Sequence, residues 1–230
     1  MSDSVSFPQY FVTGVGAYDN GENGIEENKI EKKYMRRING EQPDDRRKEA
    51  FPVRQGMELI VTRQIGLAGT ASLVRLHEEE LLGNYPFQMV ERAKGFDRWM
   101  SVTEAARAVN HFGSSHVYCI ARGGIFNALW EMAEGAGVGL EVDIKKIPVK
   151  QETIEICEYF DVNPYYLYSE GSLLIATEQP EALLSMLRDA DISACVIGRT
   201  TDGNDRLILN GESRRFLDRP KADELWRISG

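Results

Sequence analysis

The chain has 230 residues, with 27 Lys and Arg against 36 Asp and Glu, a formal net charge of −9, and 42% hydrophobic and 27% charged residues. This is the composition of a globular chain with enough material for one sizeable core or two small ones. The negative field repels a phosphate backbone and argues against nucleic acid as a partner. No run of eighteen apolar residues reads as a membrane span, and MSDSVSFPQY does not read as a signal peptide, so the expected location is cytoplasmic.

Residues 1–56 read as an arm. The opening SFPQYFVTGVGAY has the aromatic and β-branched content of a strand, and GVGAYDNGENG is rich in turn formers. The following charge-dense stretch predicts a short helix between Glu26 and Arg37 whose apolar face is too thin for a core of its own. The expectation is an extension engaged in oligomer contacts.

From Met57 the pattern becomes regular. Glu58 to Ile65 predicts a strand, Gly66 to Gly69 a tight connection, and Thr70 the cap of a helix to Leu82 striped by Leu73, Leu76, Leu81 and Leu82. A second helix is expected from Phe87 to Phe96. Ser101 with Glu104 reads as a capping box for a third, running to His111, with a small face of Ala105, Ala106, Ala108 and Val109. Val117 to Ala121 is a strand, Arg122-Gly123-Gly124 a turn, and Ile125 to Gly135 a helix striped by Ile125, Leu129, Met132 and Ala133. Leu140 to Ile144 alternates apolar with acidic residues, the period of a strand with one wet face. Then come a helix from Glu152 to Phe160, a strand from Ser172 to Thr177, a helix from Pro180 to Ala190, and strands at Ala194–Ile197 and Arg206–Leu209.

Amphipathic helices between half-wet strands predict an α/β (α+β) domain over 57–210, with one mixed sheet and helices packed on one face. The uncovered face would then have to meet another domain or a second chain, so a homodimer is expected. Residues 211–230 read as a tail whose Leu225 and Trp226 dock on the body. Cys119, Cys157 and Cys195 have no metal-binding spacing and read as buried thiols. No metal site is predicted, and His77, His111 and His116 form no ligand motif.

The stretch from Arg122-Gly123-Gly124 through EGAGVGLE, Ile147-Pro148 and Glu170-Gly171 resembles the C-terminal domain of the AIR-synthase-related superfamily, most of all its hydrogenase maturation factor branch, which dehydrates a carbamoyl group. The resemblance extends from Met57 to Leu209 and implies an N-terminal domain binding ATP and magnesium, which residues 1–56 do not resemble. ATP and Mg are therefore expected only if an ATP-binding partner protein supplies that half, and no cofactor is predicted for this chain alone. The family pattern Asp-x-Thr-Arg-Gly-Gly stands here as Cys119-Ile120-Ala121-Arg122-Gly123-Gly124, and the C-terminal cysteine of the maturation factor has no counterpart in Arg227-Ile228-Ser229-Gly230.

The ligand-binding candidates are Arg122, Gly123, Gly124, Asn127, Glu170 and Gly171. Two glycines opening a helix let a phosphate-containing or other anionic small molecule approach backbone N–H groups, and Arg122 can pair with it. The same residues can equally serve as a tight strand–helix turn. Asn127 follows one turn on, and Glu170-Gly171 lies near the interdomain cleft in the family. No catalytic residue is assigned. The expected function is a non-catalytic anion-binding, interaction or regulatory module; the alternative is one component of a split ATP-dependent synthetase or hydrogenase-maturation-like enzyme.

Overall fold

The computed structural model describes residues 52–113 and 115–229. The expected strand near the N-terminus and the helix at 26–37 lie outside the described residues. Among the described residues seven strands are formed: β1 (Glu58–Thr62), β2 (Ser115–Ile120), β3 (Gly139–Asp143), β4 (Ser172–Thr177), β5 (Ala194–Thr201), β6 (Arg206–Asn210) and β7 (Ser213–Phe216). They join one mixed sheet in the order β2-β4-β1-β5-β3-β6-β7, in which β3 and β6 run parallel and every other neighbouring pair is antiparallel.

The helices are α1 (Leu67–Leu76), α2 (Glu78–Leu82), α3 (Phe87–Lys94), α4 (Thr103–Phe112), α5 (Gly124–Ala136), α6 (Gln151–Tyr159), α7 (Pro180–Asp189) and α8 (Glu224–Ser229). On one side of the sheet, Leu59, Val61, Leu174, Ala176, Leu140 and Ile197 pack with Ile125, Phe126, Leu129 and Met132 of α5. On the other, Ile60, Leu173, Ile175, Val117 and Cys119 pack with Ala105, Ala106 and Val109 of α4 and Leu183 and Leu187 of α7.

The mixed sheet is the one the sequence predicts, but helices cover both faces instead of one. The wet alternation of Leu140–Ile144 belongs to the β3 half alone. All six residues of β4 are buried, and β1 is buried from Leu59 onward. The small side chains of Ala105 and Ala106 let α4 approach the sheet closely, so the β2-β4-β1 half gains a second layer.

A third cluster, Leu67, Ala71, Leu73, Val74, Leu81, Val90, Phe96, Ile156 and Leu167, joins α1, α2, α3 and α6 into a helical layer. The single helix expected from Thr70 to Leu82 is two, divided at His77, whose backbone leaves the helical region at φ −128°. Thr70 is not its cap: the helix already begins after Gly66, which is left-handed at φ 74°, and the Thr70 hydroxyl donates to the Gly66 carbonyl at 2.7 Å. The break divides the leucine stripe, with Leu73 and Leu81 buried and Leu76 and Leu82 left 59% and 39% exposed.

Ser101 accepts the Thr103 N–H at 3.4 Å, but Val102 holds the cap position of α4, so the capping box is not formed. Cys119 and Cys157 are buried as expected, whereas Cys195 is only half-buried, its thiol donating to the Lys146 carbonyl. Beyond Asn210 the chain turns at Gly211 (φ 63°) and adds β7 to the sheet edge, an element the charged sequence SRRF does not announce.

Candidate functional site

The site gathers where β2 ends and α5 begins. Gly123 and Gly124 both adopt left-handed backbone, φ 74° and 63°, which reverses the chain into the helix. Crowding also requires them. A Cβ on Gly124 would lie 2.4 Å from the Tyr165 carbonyl oxygen, and one on Gly123 would lie 1.8 Å from Asn127 Nδ2. The segment 165–170 thus presses directly on the turn, and the Ser169 N–H donates to the Ala121 carbonyl at 3.2 Å.

The backbone N–H of Gly123, at the turn into α5, is engaged by the chain's own C-terminal segment. Asp223 is 5% exposed. Its Oδ2 accepts the Gly123 N–H at 2.6 Å, and its Oδ1 accepts the N–H groups of Tyr168 at 3.2 Å and Leu225 at 2.9 Å. One carboxylate therefore ties together the glycine turn, the 165–170 segment and the first turn of α8. Burial pushes the Asp223 carboxyl above its ordinary value, outweighing the three N–H donors and the positive charge of Arg122.

Asn127, buried on α5, clasps the same segment: its Nδ2 donates to the Lys221 carbonyl at 2.8 Å and its Oδ1 accepts the Lys221 N–H at 3.1 Å. The Arg122 guanidinium lies 5.6 Å from the ring centre of Trp226, within cation–π range, and Trp226 itself is 43% exposed. Leu225 and Ile228 pack, partly buried, on the helical layer. Glu170 accepts the Tyr168 hydroxyl. Burial, then the Glu170 charge, hold the Tyr168 phenol well above the usual range, while the Arg122 charge acts in the opposite direction.

Five of the six sequence candidates therefore meet around Tyr168 and Asp223: Arg122, Gly123, Gly124, Asn127 and Glu170. Gly171 faces elsewhere. At φ 100° its Cβ position lies 2.1 Å from the Trp99 carbonyl oxygen, and its own carbonyl accepts from Arg63 at 3.2 Å. Sequence reasoning missed Asp223, Lys221 and Tyr168. The available signal for Asp223 was its place as an acid immediately before Glu224-Leu225-Trp226, the position of a helix cap. Among the described residues, no group of three or more His, Cys, Asp or Glu side chains could hold a metal ion. No described helix is long and apolar enough to cross a membrane.

The family model described as "AIR synthase related protein, C-terminal domain" matches residues 54–210. A carbamoyl dehydratase HypE of Rhodobacter capsulatus is 31% identical over 116 residues, covering 47% of this chain and 34% of that protein. A hydrogenase expression/formation protein of Methanocaldococcus jannaschii is 28% identical over 181 residues, covering 76% of this chain and 52% of its own length. The chain thus spans about half, or less, of these relatives. Among solved structures, E. coli HypE, a hydrogenase maturation protein, superposes with a TM-score of 0.63 at 24% identity, over 81% of this chain and 56% of that one. A HypE–HypF complex gives 0.59 at 22% identity, over 74% and 55%. Both likenesses are of fold.

Proposed function

Because the chain belongs to the family of AIR synthase related C-terminal domains, we propose that it acts as an interaction and regulatory module of the hydrogenase-maturation type, with its small-anion turn held shut by its own tail. The observation that carries this reading is the Asp223 carboxylate on the Gly123 N–H. An incoming phosphate would need that donor and would meet a buried negative charge in its place. Asn127, the other polar group at the turn, is likewise engaged with the Lys221 backbone. ATP and Mg are expected to bind this chain only weakly, and a homodimer in the cytoplasm is the expected working form.

Calorimetry of the full chain with ATP and magnesium, and separately with inorganic phosphate, tests the reading. Submillimolar binding of either to the unaltered chain would overturn it. Sedimentation at low micromolar concentration tests the dimer, and a single monomeric species would count against it.

A second reading is a component of a split enzyme whose ATP-binding half is another chain. It is supported by the curated relatives being two to three times longer than the stretch they share with this one. ATP turnover that arises only on mixing with an ATP-binding partner protein would favour it.

A further inference from the structure

The C-terminal segment lies on the body as a bound peptide lies on a receptor. Leu217 is its last firmly held residue: it is buried, and its N–H donates to the Arg206 carbonyl at 2.7 Å. Residues 218–222 are exposed and include Pro220. The ion pair of Lys221 with Asp218, at 2.7 Å, lies within that stretch. Beyond it α8 has six residues, too few to hold a helix by themselves. Leu225 and Ile228 are only partly buried, and Trp226 is largely exposed. The segment after Leu217 therefore forms a unit that can leave while β6 and β7 stay in place.

The body reads this unit position by position. Asn127 makes a pair of bonds with the backbone of Lys221, donating to its carbonyl at 2.8 Å and accepting its N–H at 3.1 Å. Any residue at that place would satisfy the pair. Two positions on, the Gly123 and Tyr168 N–H groups take the Asp223 carboxylate at 2.6 and 3.2 Å. That contact selects an acid. The same carboxylate caps α8 by accepting the Leu225 N–H at 2.9 Å, a reach that suits Asp and not the longer Glu. Leu225 and Ile228 then meet the helical layer, and the Arg122 guanidinium lies over the Trp226 ring. Asn127, Gly123, Tyr168 and Arg122 all belong to the body, so the receptor is independent of the segment it holds.

We propose that this surface is a peptide-binding site for a partner protein and that the tail is its occupant in cis. The ligand is a short segment with Asp, an apolar residue two positions later, an aromatic three later and an apolar residue five later, the places of Asp223, Leu225, Trp226 and Ile228. The inference rests on the reading that the tail holds the turn shut, and adds what opens it: a partner segment of the same pattern, which competes with the tail.

Fluorescence anisotropy with a labelled peptide of residues 217–229 tests it on the full chain. The double variant Asp223→Ala/Leu225→Ala loosens the tail and leaves the body intact. It should bind the peptide about tenfold or more tightly than the unaltered chain, which its own tail blocks. The same peptide carrying Asp223→Glu keeps the charge and should bind the variant about tenfold more weakly. Equal binding to the two chains, no binding to either, or no preference for Asp over Glu would overturn the proposal. Inorganic phosphate is titrated in parallel. Phosphate binding to the unaltered chain would remove the shut turn and this inference with it, whereas silence of both phosphate and peptide would strike the peptide site alone. Hydrogen exchange reads the unaltered chain directly, as ¹⁵N protein with millimolar unlabelled peptide. Amides of residues 225–228 should exchange faster while those of Gly123 and Tyr168 stay protected. A tail whose exchange the peptide leaves unchanged would likewise refute the proposal.

Discussion

The carboxylate of Asp223 accepts the backbone N–H of Gly123 at 2.6 Å, across 100 positions of sequence. The same side chain takes the N–H groups of Tyr168 and Leu225, so the bond closes the site and anchors the C-terminal segment together. Asp223→Ala leaves the N–H groups of Gly123 and Tyr168 without their acceptor. A stranded buried donor costs about 1–3 kcal/mol, and removing the buried charge offsets part of that. The expected net loss is about 2 kcal/mol, or a Tm lower by roughly 4–8 °C for a chain of this size. Urea denaturation measures it. A variant as stable as the parent would show that the tail does not hold the turn.

The two glycines separate by what their substituents would strike. Gly124→Ala drives a Cβ to 2.4 Å from the Tyr165 carbonyl and 2.9 Å from that of Leu167, backbone atoms that cannot step aside. It should abolish soluble expression or cost more than about 3 kcal/mol, left-handed strain included. Gly123→Ala strikes the Asn127 amide, a side chain that can swing away at the expense of its two bonds to Lys221. It should cost less, about 2 kcal/mol, and loosen residues 221–228. Hydrogen exchange on the two variants orders the effects, and the reverse order would contradict the packing described.

The glycine turn was legible in the sequence because the physics there is local: two glycines between an apolar strand and a striped helix fix a left-handed reversal. What fills it was not, because Asp223 lies 100 residues away and its partners are backbone groups, which no side-chain pattern records. The same division runs through the fold. The apolar centre of SLLIAT announced a strand, but only the pairing of β4 between β2 and β1 shows why both its faces are buried. The leucine stripe over 73–82 has the period of one helix, yet packing takes Leu73 and Leu81 and turns out Leu76 and Leu82. β7 escaped notice because SRRF is exposed along its whole length and owes its conformation to pairing with β6.

Arg63 organises the opposite end of the 165–171 segment. Its Nη1 donates to the carbonyls of Trp99 at 2.9 Å, Ser101 at 2.5 Å and Gly171 at 3.2 Å, from a residue itself held at φ 56°. Burial draws its guanidinium below the ordinary arginine value, partly countered by the Glu104 charge. Arg63→Ala removes the donor to three carbonyls and should cost about 2 kcal/mol, a typical value for bonds to a charged group. Arg63→Lys should recover only part of this, because an ammonium lacks the planar fork and the stacking on Trp99. Full recovery by lysine would mean that charge alone matters there.

The thiols give a pH-dependent prediction. Burial, then the Glu224 charge, push the Cys157 thiol up to about 12, and burial also raises Cys195. The folded state thus favours the protonated thiol of Cys157. That contribution to stability is complete below the unfolded value near 9 and is lost as pH rises from there toward 12. Only the thiolate is alkylated, so at pH 8 a thiol of this pKa is ionised to about one part in ten thousand. Half-buried Cys195 should therefore react with iodoacetamide first in the native chain, and Cys157 only once the chain unfolds. Peptide mass mapping of a time course reads both sites at once, and native labelling of Cys157 at the rate of Cys195 would show that α6 and α8 do not seal it.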